Sequence, residues 1–308
     1  MSTPRCLPCP SPFRPEGRVA LITGAGQGIG RALAEMLYRR GASVAVVDVD
    51  AEAATSVAAA LGERALPVIA DVADRAAMAE AIPQVAAYFG HLDIVVANAG
   101  VVPRPATLRT IDPADFDRVL GINLTGVFNT VHPALDDIIA ARGHVVVVSS
   151  CAAFAPGMGG APYMISKAAV EQLGRALRVE LAPHGASAGI AYFGIVETEM
   201  THATLDRDDL GRRIEALLPW PLSARITAEQ AARTVADAIE KRAPQSISPV
   251  PWIPYALLRG LINRVLDFGL AHDPRVAALL RELERRSLEK PASAAAMPMD
   301  SGRVRAHY

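Results

Sequence analysis

From Arg18 to Tyr192, short β-branched runs alternate with longer stretches of helical periodicity, and this limits the fold to a parallel sheet covered by helices on both faces. Strands are expected at Val19–Thr23, Ser43–Asp48, Ala65–Ala70, Leu92–Ala97, His144–Ser149 and Ser187–Tyr192. Helices are expected between them, at Gly28–Arg40, Ala51–Leu61, Asp74–Phe89, Pro113–Ala141 and Pro162–Leu181. The unbroken run Val145 to Val148 reads as a strand buried on both sides. Parallel neighbours need right-handed crossovers, which put ligands outside the carboxyl ends of the strands.

The 308 residues are enough for one or two domains. Residues 1–16 carry five prolines and read as a disordered leader. Residues 17–250 form the expected α/β domain. Its segment 194–225 is loop-rich, and a helix at Thr227–Arg242 and a last strand at Ser246–Val250 follow. A helical extension covers 251–290, with helices at Trp252–Leu270 and Arg275–Lys290, and 291–308 reads as a flexible tail. The formal net charge of −1 offers no electrostatic footprint for nucleic acid. Three cysteines do not make a disulfide framework, and the pair Cys6 and Cys9 has no second pair to complete a zinc site. No metal is expected. The chain has no apolar run of transmembrane length and no apolar signal core, so a cytoplasmic location is expected.

Thr23-Gly24-Ala25-Gly26-Gln27-Gly28-Ile29-Gly30 follows the first strand and opens the first helix. Glycines there allow a tight turn and let backbone N–H groups approach a pyrophosphate at the helix N-terminus. The context predicts a doubly wound Rossmann domain that binds a dinucleotide. Asp48 ends the second strand, where a carboxylate accepts hydrogen bonds from ribose hydroxyls and repels a 2′-phosphate. Its neighbours Gln27 and Val49 are not basic, so NAD is expected over NADP.

Tyr163 and Lys167 stand four residues apart, on one face of the expected helix. A nearby ammonium favours the phenolate and turns a poor base into a usable one. Of 31 Lys and Arg residues only Lys167, Lys241 and Lys290 are lysines. Lysine offers a compact charge that a guanidinium does not reproduce. Ser150 follows the buried fifth strand, 13 residues before Tyr163. Ser149 competes for its role, but strand alternation puts the two on opposite faces.

Together these residues resemble the short-chain dehydrogenase/reductase family from Gly17 to about Thr198. On that resemblance Asp71-Val72 contacts the adenine, Asn98-Ala99-Gly100 steadies the sheet beside the cofactor, and Gly194, Val196 and Thr198 bind the nicotinamide end. Phe193 stands where the family usually has Pro, which implies altered loop rigidity. The resemblance implies Asn123, Ser150, Tyr163 and Lys167 as a catalytic tetrad. Tyr163 would be the acid/base, Ser150 would orient the substrate oxygen, Lys167 would hold the nicotinamide ribose, and Asn123 would anchor a water for proton exchange. It also implies a homodimer or homotetramer through 113–141 and 162–181.

Phe154, Met158, Met200, Leu205 and Trp220 suggest an apolar substrate lining, fit for a steroid-, terpenoid- or lipid-like secondary alcohol or ketone. On the resemblance 194–225 is a substrate lid, and the amphipathic stretch Tyr255–Leu270 fits packing beside that lid, a subunit interface or a peripheral membrane contact through 252–286, the last supported by Trp252 and Tyr255. Two rival readings stay open: an NADPH-dependent carbonyl or ketoacyl reductase, against which Asp48 stands, and a nucleotide-sensing scaffold, which needs the glycine loop but not the tetrad.

Overall fold

The computed structural model describes residues 13–207, 209–217 and 221–289. The pair Cys6 and Cys9, Trp220, Lys290 and the segment 291–308 lie outside the described residues. The expected alternation forms as β1 (Val19–Thr23), α1 (Gly28–Arg39), β2 (Ser43–Asp48), α2 (Ala51–Leu61), β3 (Ala65–Ile69), α3 (Arg75–Phe89) and β4 (Ile94–Ala97). The chain continues through α4 (Pro113–Leu120), α5 (Gly126–Val131) and α6 (Leu135–Ala140) to β5 (His144–Val148), α7 (Ala161–Leu181) and β6 (Ser187–Phe193). Then come β7 (Ile195–Glu197), α8 (Glu199–Thr201), α9 (Asp209–Glu215), β8 (Arg225–Thr227), α10 (Ala228–Glu240), β9 (Gln245–Ser248), α11 (Trp252–His272) and α12 (Pro274–Glu289).

Seven strands pair in the order β3-β2-β1-β4-β5-β6-β9, all parallel. β1, β4 and β5 are buried at every position, as their unbroken apolar runs require. One apolar core lies on each face of the sheet. Side chains cap several helix starts: Asp50, Asp74, Asp112 and Thr227 accept backbone N–H groups at α2, α3, α4 and α10.

Four expectations are corrected. The helix expected over Pro113–Ala141 is three short helices, separated by a π-helical turn at Gly121–Thr125 and a 3-10 turn at His132–Ala134. Pro133 cannot continue the hydrogen-bond ladder, and the π turn carries Asn123. The leader stops short of Phe13, which is 3% exposed, donates its N–H to the Glu240 carbonyl and lies under the Arg18 and Arg242 guanidiniums. The loop-rich segment contains β7, which pairs with β8 in a separate two-stranded sheet. Trp252 and Tyr255 do not face outward as membrane-interface aromatics would. Both are buried against Phe154, and Tyr255 donates its hydroxyl proton to Asn263. The outer face of α11 is apolar instead, with Leu257, Leu261, Val265 and Phe268 all exposed. No helix among the described residues is long and apolar enough to cross a membrane.

His144 sits at the start of β5 with no exposed surface. Its Nδ1 meets Ser187 Oγ at 2.8 Å, while Nε2 has no partner. Burial, reinforced by Arg242 and Arg178, lowers its pKa from 6.5 to about 3. The unfolded chain takes up a proton below pH 6.5 that the folded chain refuses, so this stability is present above pH 6.5 and lost as pH falls toward 3. Between pH 7 and pH 5 the loss from this group is about 2 kcal/mol. Urea unfolding at the two pH values checks it, since a His144→Asn variant is expected to lose correspondingly less.

Candidate active site

The order of the sheet reverses between β1 and β4, and the crevice this opens lies at the carboxyl ends of the strands. It is a cleft of about 350 Å³ that runs from Asp48 at the end of β2 to Tyr163 and Lys167 on α7. Within the glycine loop, Gly24, Gln27, Gly28 and Ile29 line it. Thr23, Gly26 and Gly30 lie behind the lining and shape it. Thr23 Oγ1 accepts the Asn98 and Ala99 N–H groups, and Asn98 Nδ2 donates back to the Thr23 carbonyl at 2.9 Å. A Cβ on Gly30 would overlap the Gly24 carbonyl oxygen, so α1 can approach β1 this closely only with glycine there. Gly30→Ala is expected to cost about 3 kcal/mol of stability, read as a lower urea midpoint.

Asp48 fixes the other side of the loop. Its Oδ2 accepts the Gly26 N–H at 2.8 Å, and its Oδ1 accepts the Asp50 N–H at 3.1 Å. A Cβ on Gly26 would stand 2.9 Å from that Oδ2. Gln27 starts α1 without a side-chain cap, and the first turn holds no acid, in contrast to α2. Backbone donors therefore face the cleft at the end of a helix dipole, an arrangement that suits a pyrophosphate. Asp71, Val72, Asn98, Ala99 and Gly100 line the cleft beyond it. The glycine cradle, the uncapped helix and the Asp48 carboxylate fit a dinucleotide.

At the other end, Ser150, Tyr163 and Lys167 line the cleft together. Ser150 leaves β5 and accepts the Ala152 N–H as cap of a 3-10 turn at Cys151–Phe154. Its hydroxyl donates to the Phe193 carbonyl at 3.2 Å. Ser149 points away and donates to the Lys167 carbonyl at 2.7 Å, so it ties α7 to the sheet. Lys167 is 4% exposed, and its Nζ donates to the Val148 carbonyl at 2.9 Å. That nitrogen lies 5.6 Å from the centre of the Tyr163 ring. Burial lowers the Lys167 pKa to about 8. Burial also pushes the Tyr163 phenol above its ordinary value, against the Ser150 hydrogen bond, which favours the phenolate. The lowering expected from Lys167 does not appear: desolvation dominates, and the Ser150 hydrogen bond is what opposes it.

Asn123 does not line the cleft. It is fully buried on the π turn: Oδ1 accepts the Val101 N–H at 2.7 Å, and Nδ2 donates to the Val101 carbonyl and to Ser166 Oγ. Both of its donors are committed to protein partners. The side chain therefore holds the strand β4 exit against α7. A Cβ on Gly100 would stand 3.3 Å from both Asn123 Oδ1 and Lys167 Nζ, a tight approach that glycine relieves.

Phe193, Gly194, Val196 and Thr198, expected at the nicotinamide end, line the cleft. Phe193 fills the wall where the family has Pro, and Trp252 of α11 backs Gly194, with its Nε1 2.7 Å from where a Cβ would sit. Of the residues expected to line a substrate pocket, Met200 lines the cleft. Phe154 does not: it is 2% exposed and packs on Tyr192 and Trp252 in the core. Met158 and Leu205 are half-buried and outside the lining. Among the lining residues that sequence reasoning missed are Val101, Ile122, Glu199 and Thr201. Val101 was findable as the residue after Asn98-Ala99-Gly100; the other three follow no motif. Among the described residues no group of three or more His, Cys, Asp or Glu side chains could hold a metal ion.

Comparison with known proteins agrees with this geometry. The sequence profile described as short chain dehydrogenase matches residues 18–209. A cis-4-hydroxycyclohexanecarboxylate dehydrogenase of Sinomonas cyclohexanicum is 41% identical over 187 residues, covering 59% of this chain and 75% of that protein. A probable oxidoreductase of Mycobacterium tuberculosis, EphD, is 34% identical over 271 residues; the match covers 84% of this chain but 45% of that relative, so this chain spans less than half its length. The crystal structure of a 3-ketoacyl-(acyl-carrier-protein) reductase from Brucella melitensis complexed with NADH superposes with a TM-score of 0.68 at 28% identity, covering 76% of this chain and 97% of that one. About a quarter of the present chain therefore lies outside the shared fold. With the glycine cradle, Ser150, Tyr163 and Lys167 all meeting in one cleft, the chain belongs to the short chain dehydrogenase family of oxidoreductases.

Proposed function

We propose that this protein interconverts a secondary alcohol and a ketone with NAD, on a bulky apolar substrate. The observation that carries the reading is the polarity of the cleft: Asp48 at one end, the Ser150–Tyr163–Lys167 group at the other, and no basic lining residue other than Lys167. The Asp48 carboxylate accepts ribose hydroxyls and repels a 2′-phosphate, with no arginine or lysine in the lining to offset the repulsion. The dinucleotide, when bound, supplies the hydride acceptor or donor.

The chain's own residues do the rest. Tyr163 takes the proton from the substrate hydroxyl in oxidation and returns it in reduction. Ser150 donates to the same substrate oxygen and orients it. Lys167 holds the ribose hydroxyls and supplies positive charge beside the phenol as it ionises. Asn123 keeps Val101 and α7 in register behind them. Val101, Ile122, Phe193 and Met200 give the reacting end an apolar wall. The relative from Sinomonas cyclohexanicum, named for a ring-borne alcohol, supports a cyclic substrate.

A homodimer or homotetramer is part of the same reading, supported by the exposed apolar side chains Phe128 on α5 and Ile165 and Val179 on α7. Light scattering of the purified chain tests it, and a monomer would contradict it.

The test of the reaction is turnover of a panel of alcohols, followed at the reduced-nicotinamide absorbance with each dinucleotide. NAD is expected to be preferred by about a hundredfold, the effect of a few kcal/mol of like-charge repulsion. Apolar cyclic alcohols are expected to outrun small polar ones. Preference for NADP, or for short polar alcohols, would overturn the corresponding half of the proposal.

A further inference from the structure

Three segments leave the catalytic end of the cleft, and all three end against α12. The first departs at Val101 and reaches α12 at Glu284, whose Oε1 accepts Thr107 Oγ1 at 3.0 Å and whose Oε2 pairs with Arg109 at 2.7 Å. The second departs at Ser150 and passes Gly159, where a Cβ would stand 2.8 Å from Leu283 Cδ1. These two segments are joined by the Ala106 N–H, which donates to the Gly159 carbonyl at 2.9 Å. The third departs at Thr201 and continues to α9, where Asp209 meets Arg286 at 3.3 Å and Leu217 packs on buried Leu279 and Leu283.

We infer that α12 is a positioning element for the substrate: it sets the spacing of the three segments that ring Ser150 and Tyr163, and so the size of alcohol that reaches them. The inference rests on the dehydrogenase reading of the cleft and adds to it a specificity role for the C-terminal helix. Leu283 and Glu284 do different parts of the work. Leu283 seats the Gly159 segment by apolar contact that only a glycine with φ of +80° accommodates. Glu284 pins the 102–110 segment by two hydrogen bonds, from Thr107 and from Arg109. No residue of α12 lines the cleft, and the segments it braces leave from the Ser150 end and not from the glycine-loop end. Its loss should therefore be felt by the substrate and not by the dinucleotide.

The test uses the full chain carrying Leu283→Ala with Glu284→Ala, and Glu284→Gln alone as a milder change that keeps the side-chain size. Hydrogen exchange is the first readout. Amides of 102–111 and 155–160 are expected to exchange about tenfold faster in the double variant, while the glycine loop at 23–30 keeps its protection. This readout needs no turnover, so it stands or falls separately from the proposed reaction. Kinetics is the second. KM for a bulky cyclic alcohol is expected to rise about tenfold with kcat and NADH affinity little changed, the pattern of lost substrate binding rather than lost chemistry. Glu284→Gln is expected to give a smaller rise in KM of the same sign. Unchanged exchange in the two segments would overturn the bracing role. Faster exchange without a change in KM would overturn the specificity role, as would equal losses toward small and bulky alcohols.

Discussion

Tyr163→Phe is expected to lower kcat/KM about a thousandfold and to leave NADH binding intact, within the range a positioned acid/base contributes. The substitution removes one oxygen and keeps the ring that Lys167 faces 5.6 Å away. Ser150 still caps its 3-10 turn and reaches the Phe193 carbonyl, so the wall of the cleft survives. The lost function is then proton transfer alone. Because burial holds the Tyr163 phenol above its ordinary value, oxidation by the parent enzyme should rise with pH as the phenol ionises. That limb should vanish in the variant. Fluorescence titration with NADH and initial rates across pH check both statements. A variant that keeps more than about a tenth of the parent rate would assign the proton to another group.

How much of this was legible before the structure depends on the physical scale of each signal. The alternation of strands and helices is repeated over many residues, and outside 113–141 and 194–225 its element positions agree with the structure to within a few residues. The meeting of Ser150, Tyr163 and Lys167 in one cleft was legible through spacing, since Tyr163 and Lys167 share a helix face and Ser150 ends a strand, whereas Asn123 came only from the family resemblance. What the sequence hid depended on single local competitions. The π turn at Gly121–Thr125 replaces a regular helix because buried Asn123 spends its amide on Val101 and Ser166, contacts with partners distant in the chain. Phe154 looked like substrate lining because it follows Ser150 closely. In the fold the 3-10 turn swings it into the core, against Tyr192 and the aromatics of α11.

The same reasoning explains the C-terminal helices. Tyr255–Leu270 has an apolar stripe on each side, and hydropathy alone cannot tell which faces the protein. Trp252, Tyr255, Ile262 and Leu266 face the core, so the aromatic residues that suggested a membrane surface are those that join the extension to the domain. The extension thus shares the core of the dinucleotide domain. One of its residues, Trp252, stands directly behind Gly194 of the cleft.

Lys167→Arg is expected to cost at least about a hundredfold in kcat/KM, although it conserves the charge. Lys167 Nζ fits between the Val148 carbonyl and Gly100, on the side where Asn123 Oδ1 also closes in. A guanidinium is broader and forked, and at 4% exposure it has no solvent to turn into. Lys167→Met removes the charge while filling the same space, so comparing the two separates geometry from electrostatics. The pH dependence sharpens the comparison. Burial lowers the lysine pKa to about 8, so the ammonium is present below that pH and is lost above it. If the charged form holds the ribose, NADH affinity should weaken by up to about tenfold per pH unit above pH 8. The Met variant should bind weakly at every pH, and the Arg variant should show no such decline, because its charge does not titrate. A wild-type affinity that stays flat through pH 9 would show that Lys167 acts through its hydrogen bonds and not through its charge. The presence of a lysine at 167, in a chain that otherwise favours arginine, would then reflect only the shape of its side chain.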